Sequence, residues 1–295
     1  MLFLYVISGL FFVLVLLYLL VPKATNLHEV LRLPLYQYRV WTNPSNNMIV
    51  QKHRFGKQRR QYFLHCQPKD KPVTQQAVIV YFHGGGWAFG APELFKINAQ
   101  FFVDLGYEVF LPSYRRIPLY NSMDLREDLS LTLSKVMEFL PDDGSRKIIL
   151  GGISAGANLA ALLLHDRQAL EQLGLDDRIF QGMMLFGAPL DLSKMADTFV
   201  LRLYAGQRGS EQFKAASPIE HLQQPSPQPV RCVHGDRDGF VNYRSAKAYC
   251  QKRQQLNCGP TLFHTIPQGT HLDAGSWNFF DDELRKVLVA WLKAL

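Results

Sequence analysis

The sequence predicts an α/β fold with a mostly parallel central sheet flanked by helices. Two features of the 295-residue chain lead to this prediction. Continuous apolar runs of strand length recur along the chain, as expected for parallel strands that are buried on both faces. Stretches with helical periodicity lie between these runs, and that alternation is typical of a doubly wound sheet, which binds ligands at the carboxyl ends of its strands.

The composition indicates a folded protein. Hydrophobic residues make up 47% of the chain and charged residues 19%, so a core can form and wholesale disorder is excluded. The four cysteines are too few and too scattered for a disulfide-built scaffold, and no C-x-x-C spacing indicates zinc or thioredoxin-like chemistry. Whether Cys250 pairs with Cys258 stays open.

The elements follow one another in a regular order. Strands are predicted at residues 48–55, 61–66, 77–82, 107–111, 147–150, 183–186, 230–234 and 261–266. Helices are predicted at residues 124–140, 155–166, 242–255 and 279–295. Residues 191–229 interrupt the alternation and are richer in polar residues and proline, which predicts an inserted cap or lid over the ligand-binding edge.

The N-terminal segment predicts a transmembrane anchor. Between residues 1 and 21 only Ser8 and Gly9 are not apolar, and no side chain is charged. As a helix this segment would be ~30 Å long, about the hydrocarbon thickness of a bilayer. A cleaved signal peptide is disfavoured, because no basic residue precedes the apolar run and a poor cleavage site follows it. We therefore expect an uncleaved single span.

The net charge of +7 is concentrated directly after this span. Residues 22–71 carry ten Lys or Arg against two acids, whereas residues 72–295 carry 22 Lys or Arg against 23 acids. Because the basic segment follows an apolar span, the expected anionic partner is membrane lipid, contacted through residues 1–21 and 22–71, and not nucleic acid. The positive-inside rule predicts a single-pass membrane protein whose body lies on the cytoplasmic side.

We expect residues 22–44 to be a basic juxtamembrane linker and residues 45–295 to be the globular domain. A second basic cluster lies just inside that domain: Lys52, Arg54, Lys57, Arg59 and Arg60. Contact with anionic headgroups and a solvated, charged hairpin are both open interpretations of this cluster.

A nucleophile motif lies at the junction of a predicted strand and a predicted helix. Residues 150–156 contain G-x-S-x-G as Gly152, Ser154 and Gly156, followed by an alanine-rich stretch. Such a turn strains the backbone so that the serine Oγ projects above the sheet, and side chains two residues to either side would collide. An ordinary glycine-rich turn is the weaker interpretation, because the strand and the helix both stand where the motif needs them.

A glycine-rich loop, residues 83–87, follows the strand predicted at 77–82 and reads HGGGW. Consecutive glycines let backbone N–H groups converge on one point without obstruction by Cβ atoms. Together with the N–H of Ala155, the residue after the serine, they suit a developing oxyanion. Nucleotide binding is disfavoured, because neither G-x-G-x-x-G nor a G-K-[ST] ending is present.

A catalytic serine needs a base and an acid that orients it. Asp238 follows the strand predicted at 230–234, and Asp236 is the alternative acid. His271 follows the last strand, whereas its rival His264 lies within that strand. The chain order serine, acid, histidine is the one expected for this arrangement. No histidine spacing indicates a metal site, so neither a metal nor another cofactor is expected.

From about residue 45 the chain resembles the α/β-hydrolases, in particular hormone-sensitive-lipase-like and carboxylesterase/kynurenine-formamidase-like enzymes with an HGGG-type loop. The residues that match are 83–87, Tyr114 and Arg115, 152–156, 217–219, Asp238 and His271. The resemblance implies Gly85, Gly86 and Ala155 as oxyanion donors, with Gly84 in support and His83 bracing the loop. Ile153 and Ala157 depart from the lipase-like G-D-S-A-G-G, which favours the smaller esterase or formamidase branch.

The expected function is therefore that of a serine hydrolase that cleaves a carboxylic ester through an acyl-enzyme, with Ser154, Asp238 and His271 as the triad. An amidase, formamidase or deacetylase would use the same residues, and a non-catalytic binding module on this scaffold is a further alternative. Trp87 and Phe89 flank the glycine loop and are candidates for an acyl pocket or for the core.

Overall fold

The computed structural model describes residues 13, 18, 20–43, 45–70, 72–141, 143–277 and 282–295. Its strands are β1 (Met48–Arg54), β2 (Tyr62–Pro68), β3 (Val78–Phe82), β4 (Glu108–Pro112), β5 (Ile148–Ile153), β6 (Phe180–Phe186), β7 (Val230–Gly235) and β8 (Thr261–Ile266). They form one sheet in the order β1-β2-β4-β3-β5-β6-β7-β8. β1 and β2 pair antiparallel, as do β2 and β4, and all other pairs are parallel. The predicted mostly parallel sheet is confirmed.

Helices cover both faces of this sheet. They are α1 (Asn26–Thr42), α2 (Lys96–Asp104), α3 (Ser122–Met137), α4 (Ala155–His165), α5 (Arg167–Gln172), α6 (Phe199–Ala205), α7 (Glu211–Ala215), α8 (Pro218–His221), α9 (Tyr243–Gln255), α10 (His271–Gly275) and α11 (Asp282–Lys293). Alternate residues of a strand point to opposite faces, so Val80 packs with the α3, α4 and α9 side while Ile79 packs with the α2 and α11 side. Burial on both faces explains why the central strand β3 is apolar throughout.

The predicted strands all overlap observed ones, and one difference in their bounds matters for the site. β5 ends at Ile153, beyond the end at residue 150 that the apolar run predicts. Gly152 pairs with Phe82 of β3, and Ile153 pairs with Phe186 of β6. Because of this pairing, the strand runs directly into Ser154.

Residues 191–229 form an insertion between β6 and β7 that contains α6, α7 and α8. It is attached to α4, the helix that follows Ser154. Tyr204 Oη donates to Asn158 Oδ1 at 2.7 Å, and Asn158 Nδ2 donates to the carbonyls of Pro189 and Ala216 at 3.0 and 3.1 Å. The insertion thus holds one side of the helix that supports the serine.

The expected transmembrane anchor, residues 1–21, falls almost wholly outside the described residues. In the part of the chain that the structure describes, no helix has both the length and the apolar character needed to cross a membrane. Residues 22–44, expected to be a linker, instead contain α1, which contacts α10. This difference arises because α1 docks through polar side chains, whereas the basic charge of the segment predicted only a linker between the span and the domain.

All four cysteines lie in described segments and are free thiols. Cys250 Sγ lies 3.2 Å from Cys232 Sγ, while Cys258 Sγ accepts a hydrogen bond from Ser226 N at 3.3 Å. Pairing of Cys250 with Cys258, left open by the sequence, is therefore absent here.

Candidate active site

Ser154 occupies a strained turn between β5 and α4. Its φ is 54° and its ψ is −124°, a conformation that non-glycine residues rarely adopt. The turn depends on two flanking glycines. A Cβ on Gly152 would lie 2.6 Å from the Gly156 carbonyl, and a Cβ on Gly156 would collide with the Phe82 carbonyl. The backbone is thus compressed around a serine whose side chain stays partly exposed, as a nucleophile must be.

The glycine loop lies beside this serine because β3 and β5 are neighbours in the sheet. A Cβ on Gly84 would lie 3.5 Å from Ser154 Cβ. Gly85 and Gly86 have φ of 130° and 57°, and within the described residues neither N–H is hydrogen-bonded. Ala155 is the first residue of α4, so its N–H has no intrahelical partner. These unpaired donors flank the serine.

His83 is fixed inside the loop. Its Nδ1–H donates to the Gly84 carbonyl at 2.7 Å, and its ring stacks on Tyr114 with 4.3 Å between centroids. Tyr114 Oη donates to the His83 carbonyl at 2.9 Å. Burial lowers the pKa of His83 to about 3, so the imidazole stays neutral. These contacts suit the bracing role that the resemblance implies.

Asp238 and His271 form a buried pair at the neighbouring ends of β7 and β8. His271 Nδ1 lies 2.7 Å from Asp238 Oδ2, and the Asp238 carboxylate has no exposed surface. Asp238 Oδ1 accepts from the N–H groups of Phe240 and Val241 at 2.9 and 2.7 Å. The carboxylate is therefore fixed in its loop while its other oxygen holds the imidazole.

The imidazole of His271 lies against Gly187, the residue that follows β6, and the end of β6 in turn contacts Ser154. A Cβ on Gly187 would lie 2.9 Å from His271 Cε1, and the preceding residue, Phe186, accepts from Ser154 N at 2.8 Å. Among the described side chains, Ser154 and His271 make no hydrogen bond to each other, and they are brought near one another by the adjacent residues Phe186 and Gly187.

The electrostatics of the pair are set by burial and by opposite charge. Burial alone would raise the pKa of Asp238, but the charge of His271 and hydrogen bonds from His234 and His271 hold it well below its usual value. For His271, burial lowers the pKa, and the charges of Asp238 and Glu29 outweigh it, so the pKa is raised. The site thus favours an ionised acid beside a readily protonated base.

The alternative acid and the alternative base that the sequence left open occupy different positions from Asp238 and His271. Asp236 is exposed, and His264 lies within β8. Trp87 is buried and stacks on Tyr204 of the insertion at 3.9 Å between centroids, so it belongs to the packing between loop and insertion. Phe89 is 73% exposed beside the glycine loop and remains available to a substrate.

Two groups at the site were missed by the sequence reasoning. His234, for which the sequence predicted no role, has Nε2 3.0 Å from Asp238 Oδ2. Its place directly before the acid loop, in H-G-D-R-D, was the available signal. Glu29 was counted only as one acid in the basic segment, and it proves fully buried against the His271 loop. No local pattern marks a contact between residues 242 positions apart.

A cavity of about 280 Å³ lies away from these residues, between α4, α5 and the insertion. Leu164, His165, His221 and Ser226 are part of its lining. His165 is hydrogen-bonded to Tyr249 at 2.7 Å, and burial lowers its pKa to about 3. None of Ser154, Asp238 and His271 lines this cavity, so it is separate from the candidate site.

The sequence profile of the BD-FAE family matches residues 65–252, more than half of the chain. The chain belongs to the BD-FAE family. The match includes the glycine loop, Ser154 and Asp238, while His271 lies beyond its end. No significant match was found among curated proteins.

This BD-FAE chain is similar to several solved structures. Esterase B from Lactobacillus rhamnosis has 17% identity and a TM-score of 0.72, with 89% of this chain and 90% of that chain covered. A thermophilic esterase from Thermogutta terrifontis has 22% identity and a TM-score of 0.65, with 86% and 94% covered. A hormone-sensitive lipase from a metagenome library has 16% identity and a TM-score of 0.70, with 89% and 91% covered. These likenesses establish an α/β-hydrolase-like fold.

Proposed function

We propose that the protein is a serine carboxylesterase that forms an acyl-enzyme on Ser154. The observation that carries this proposal is the strained serine beside unpaired backbone donors, with a buried Asp–His pair at the same edge of the sheet. A binding module would not need a serine held at a φ of 54°. The esterase names of the structural relatives agree with this reaction class.

In this mechanism His271 accepts the Ser154 proton as Oγ attacks the ester carbonyl. Asp238 keeps the proton-bearing Nδ1 of His271 towards itself, so Nε2 faces the reaction, and it stabilises the imidazolium. The N–H groups of Gly85, Gly86 and Ala155 stabilise the tetrahedral oxyanion, each donor contributing ~3 kcal/mol. His271 then protonates the leaving alcohol, and a water repeats the sequence on the acyl-enzyme.

The first test is covalent labelling of the full-length protein by a fluorophosphonate, which requires an activated serine. We expect labelling that Ser154→Ala abolishes. A panel of p-nitrophenyl esters of rising chain length, with an anilide and a formamide beside it, then separates an esterase from an amidase, formamidase or deacetylase. Butyrate is the first ester to try, because one relative was solved with butyrate bound and another with a tributyrin phosphonate inhibitor. Absence of labelling would overturn the proposal.

We further propose that the enzyme works at a membrane surface, anchored by residues 1–21 with its body on the cytoplasmic side. Helix α1 carries an apolar stripe on one face, formed by Leu27, Val30, Tyr38 and Trp41, and Trp41 is 81% exposed. Aromatic and aliphatic side chains on one helix face suit the bilayer interface. A substrate that partitions into lipid or its headgroup region fits this location.

The basic hairpin between β1 and β2 supports a location of the candidate site at the membrane surface. Ser113 N, just after β4, donates to the Tyr62 carbonyl at 2.8 Å, so residues 55–61 lie at the carboxyl edge of the parallel strands. This is also the edge that carries Ser154 and His271. Each basic residue near an anionic surface adds about 1 kcal/mol, and salt screens that attraction.

Deletion of residues 1–21 tests the membrane proposal. Full-length protein should resist extraction by salt and alkali, whereas the truncated protein should bind anionic vesicles weakly and be released as salt rises. The truncated protein should retain activity on soluble short esters, because α1 begins at Asn26 and stays intact. Release of the full-length protein by salt, or a mature N-terminus after residue 21, would overturn the anchor.

A further inference from the structure

Helix α1 is docked on the loop that carries the proposed base. Arg32 donates to Asp273 Oδ1 and Oδ2 at 2.6 and 3.0 Å, and also to Thr270 Oγ1. Tyr36 Oη donates to the Gly275 carbonyl at 3.4 Å. Thr270 and Asp273 form the capping box that starts α10, whose first residue is His271. Helix α1 therefore contacts the first turn of α10, which begins at His271, the proposed base.

Glu29 reaches from α1 to both loops of the Asp–His pair. Its Oε1 accepts from His271 N at 2.5 Å and from Gly239 N at 3.1 Å, and its Oε2 accepts from Leu272 N at 3.4 Å. Glu29 is 0% exposed. A buried carboxylate is tolerated only with such donors, so its position is tightly defined.

These contacts join the acid loop to the base loop. Gly239 follows Asp238 directly, and His271 donates its own backbone N–H to the same Glu29 oxygen. One carboxylate oxygen thus sets the spacing between the backbones that carry the 2.7 Å Asp238–His271 contact. Gly239 also lies so close to α1 that a Cβ there would collide with the Thr25 carbonyl.

Resting on the esterase function proposed above, we propose that Glu29 is a positioning residue for His271, contributed to the site by α1. Its carboxylate holds the acid and base loops in register and adds a second negative charge near the imidazole. Because α1 follows the proposed membrane span directly, one helix joins the attachment segment to the loop that carries the base.

The charged groups around His271 determine how its pKa should respond to replacement of Glu29. Asp238 contacts the ring from the loop after β7, and His234 contacts the same carboxylate. Glu29 accepts from the backbone N–H of His271, and the Arg32–Asp273 ion pair lies two residues further along α10. The charges of Asp238 and Glu29 raise the pKa of His271. Removal of the Glu29 charge should therefore lower that pKa.

The experiment compares Glu29→Gln with wild type and with Tyr36→Phe, using full-length protein and p-nitrophenyl butyrate. Tyr36→Phe is the matched control, because it removes a different α1–α10 hydrogen bond without touching His271. We expect Glu29→Gln to lower kcat about tenfold or more with little change in KM, because the misplaced base acts in the transition state. The acid limb of kcat/KM should move about half a pH unit or more to lower pH.

Tyr36→Phe should lose some thermal stability while its acid limb stays in place. Glu29→Asp, which keeps the charge on a shorter side chain, serves as second variant if Glu29→Gln fails to fold. Glu29→Asp should reduce kcat, and it should move the acid limb of kcat/KM by less than Glu29→Gln does.

An unchanged acid limb and kcat in the folded Glu29 variants would overturn the positioning role. So would losses in Glu29→Gln that only match its unfolded fraction. Failure of the esterase proposal is recognised separately, because wild type itself would then neither turn over esters nor be labelled by a fluorophosphonate.

Discussion

Replacement of Asp238 by Asn tests the assignment of the acid most directly. The carboxylate accepts hydrogen bonds from the ring of His271 at Oδ2 and from two backbone N–H groups at Oδ1. The ring of His234, whose Nε2 donates to the Val241 carbonyl at 3.1 Å, also lies 3.0 Å from Oδ2. Asparagine offers one oxygen and one NH₂ group of nearly the same shape. Whichever way the amide is oriented, its NH₂ must face two donors that it cannot satisfy.

The expected magnitude follows from these contacts. If the amide oxygen keeps the backbone donors, both ring contacts become donor–donor contacts, and the imidazolium that forms in the transition state loses its counter-charge. Loss of the hydrogen bond from His271 and of the charge contact with His234, at about 1.5–3 kcal/mol each, amounts to roughly 3–6 kcal/mol. This corresponds to a decrease of roughly 100-fold to 10,000-fold in kcat/KM.

The assay measures kcat/KM for p-nitrophenyl butyrate and the rate of fluorophosphonate labelling. Both values are divided by the concentration of folded protein, which circular dichroism provides. Asp236→Asn is the matched control, because that side chain is exposed in the same loop and should remain within about threefold of wild type. The reasoning is refuted if Asp236→Asn is the more impaired variant, or if Asp238→Asn keeps more than about a tenth of wild-type kcat/KM.

Three further predictions concern the same candidate active site. Ser154→Ala and His271→Ala should each abolish turnover, checked by ester hydrolysis, while circular dichroism shows an intact fold, because a triad acts as a unit. The kcat/KM should rise with pH along an acid limb that lies above pH 6.5, because the pKa of His271 is raised from 6.5 and only the neutral imidazole accepts a proton; a limb below pH 6.5 in a pH-rate profile would contradict this. Gly187→Ala places a Cβ 2.9 Å from His271 Cε1 at a φ of 53°, and should lower kcat/KM about tenfold or more. Gly174→Ala is its control in thermal melts and assays, because its φ is 68° with no atom near the added Cβ, so it should cost only about 1–2 kcal/mol of stability and leave kcat/KM unchanged.

The parallel sheet and the nucleophile turn could be predicted because their determinants are local. A strand buried on both faces must be apolar throughout, and residues 77–82 show this without reference to the rest of the chain. The turn at Ser154 needs glycines two residues to either side, and that spacing is also visible in the sequence. Such features depend on neighbours within a few residues, so the amino-acid order is sufficient to find them.

Contacts between distant segments could not be found in this way. The sequence offered Asp236 and Asp238 as competing acids, and only the loop geometry turns Asp238 inward to His271 while Asp236 stays exposed. The basic charge of residues 22–44 predicts a juxtamembrane linker, yet Glu29 and Arg32 bury or pair their charges against the His271 loop. A charged side chain reads as solvent-exposed until its partner is known, because burial of a charge is stable only with donors or counter-charges that folding supplies. Local residue order therefore specifies the sheet, the glycine loop and the serine turn. Which acid meets His271, and the docking of α1 on its loop, depend on contacts between distant segments that form only on folding.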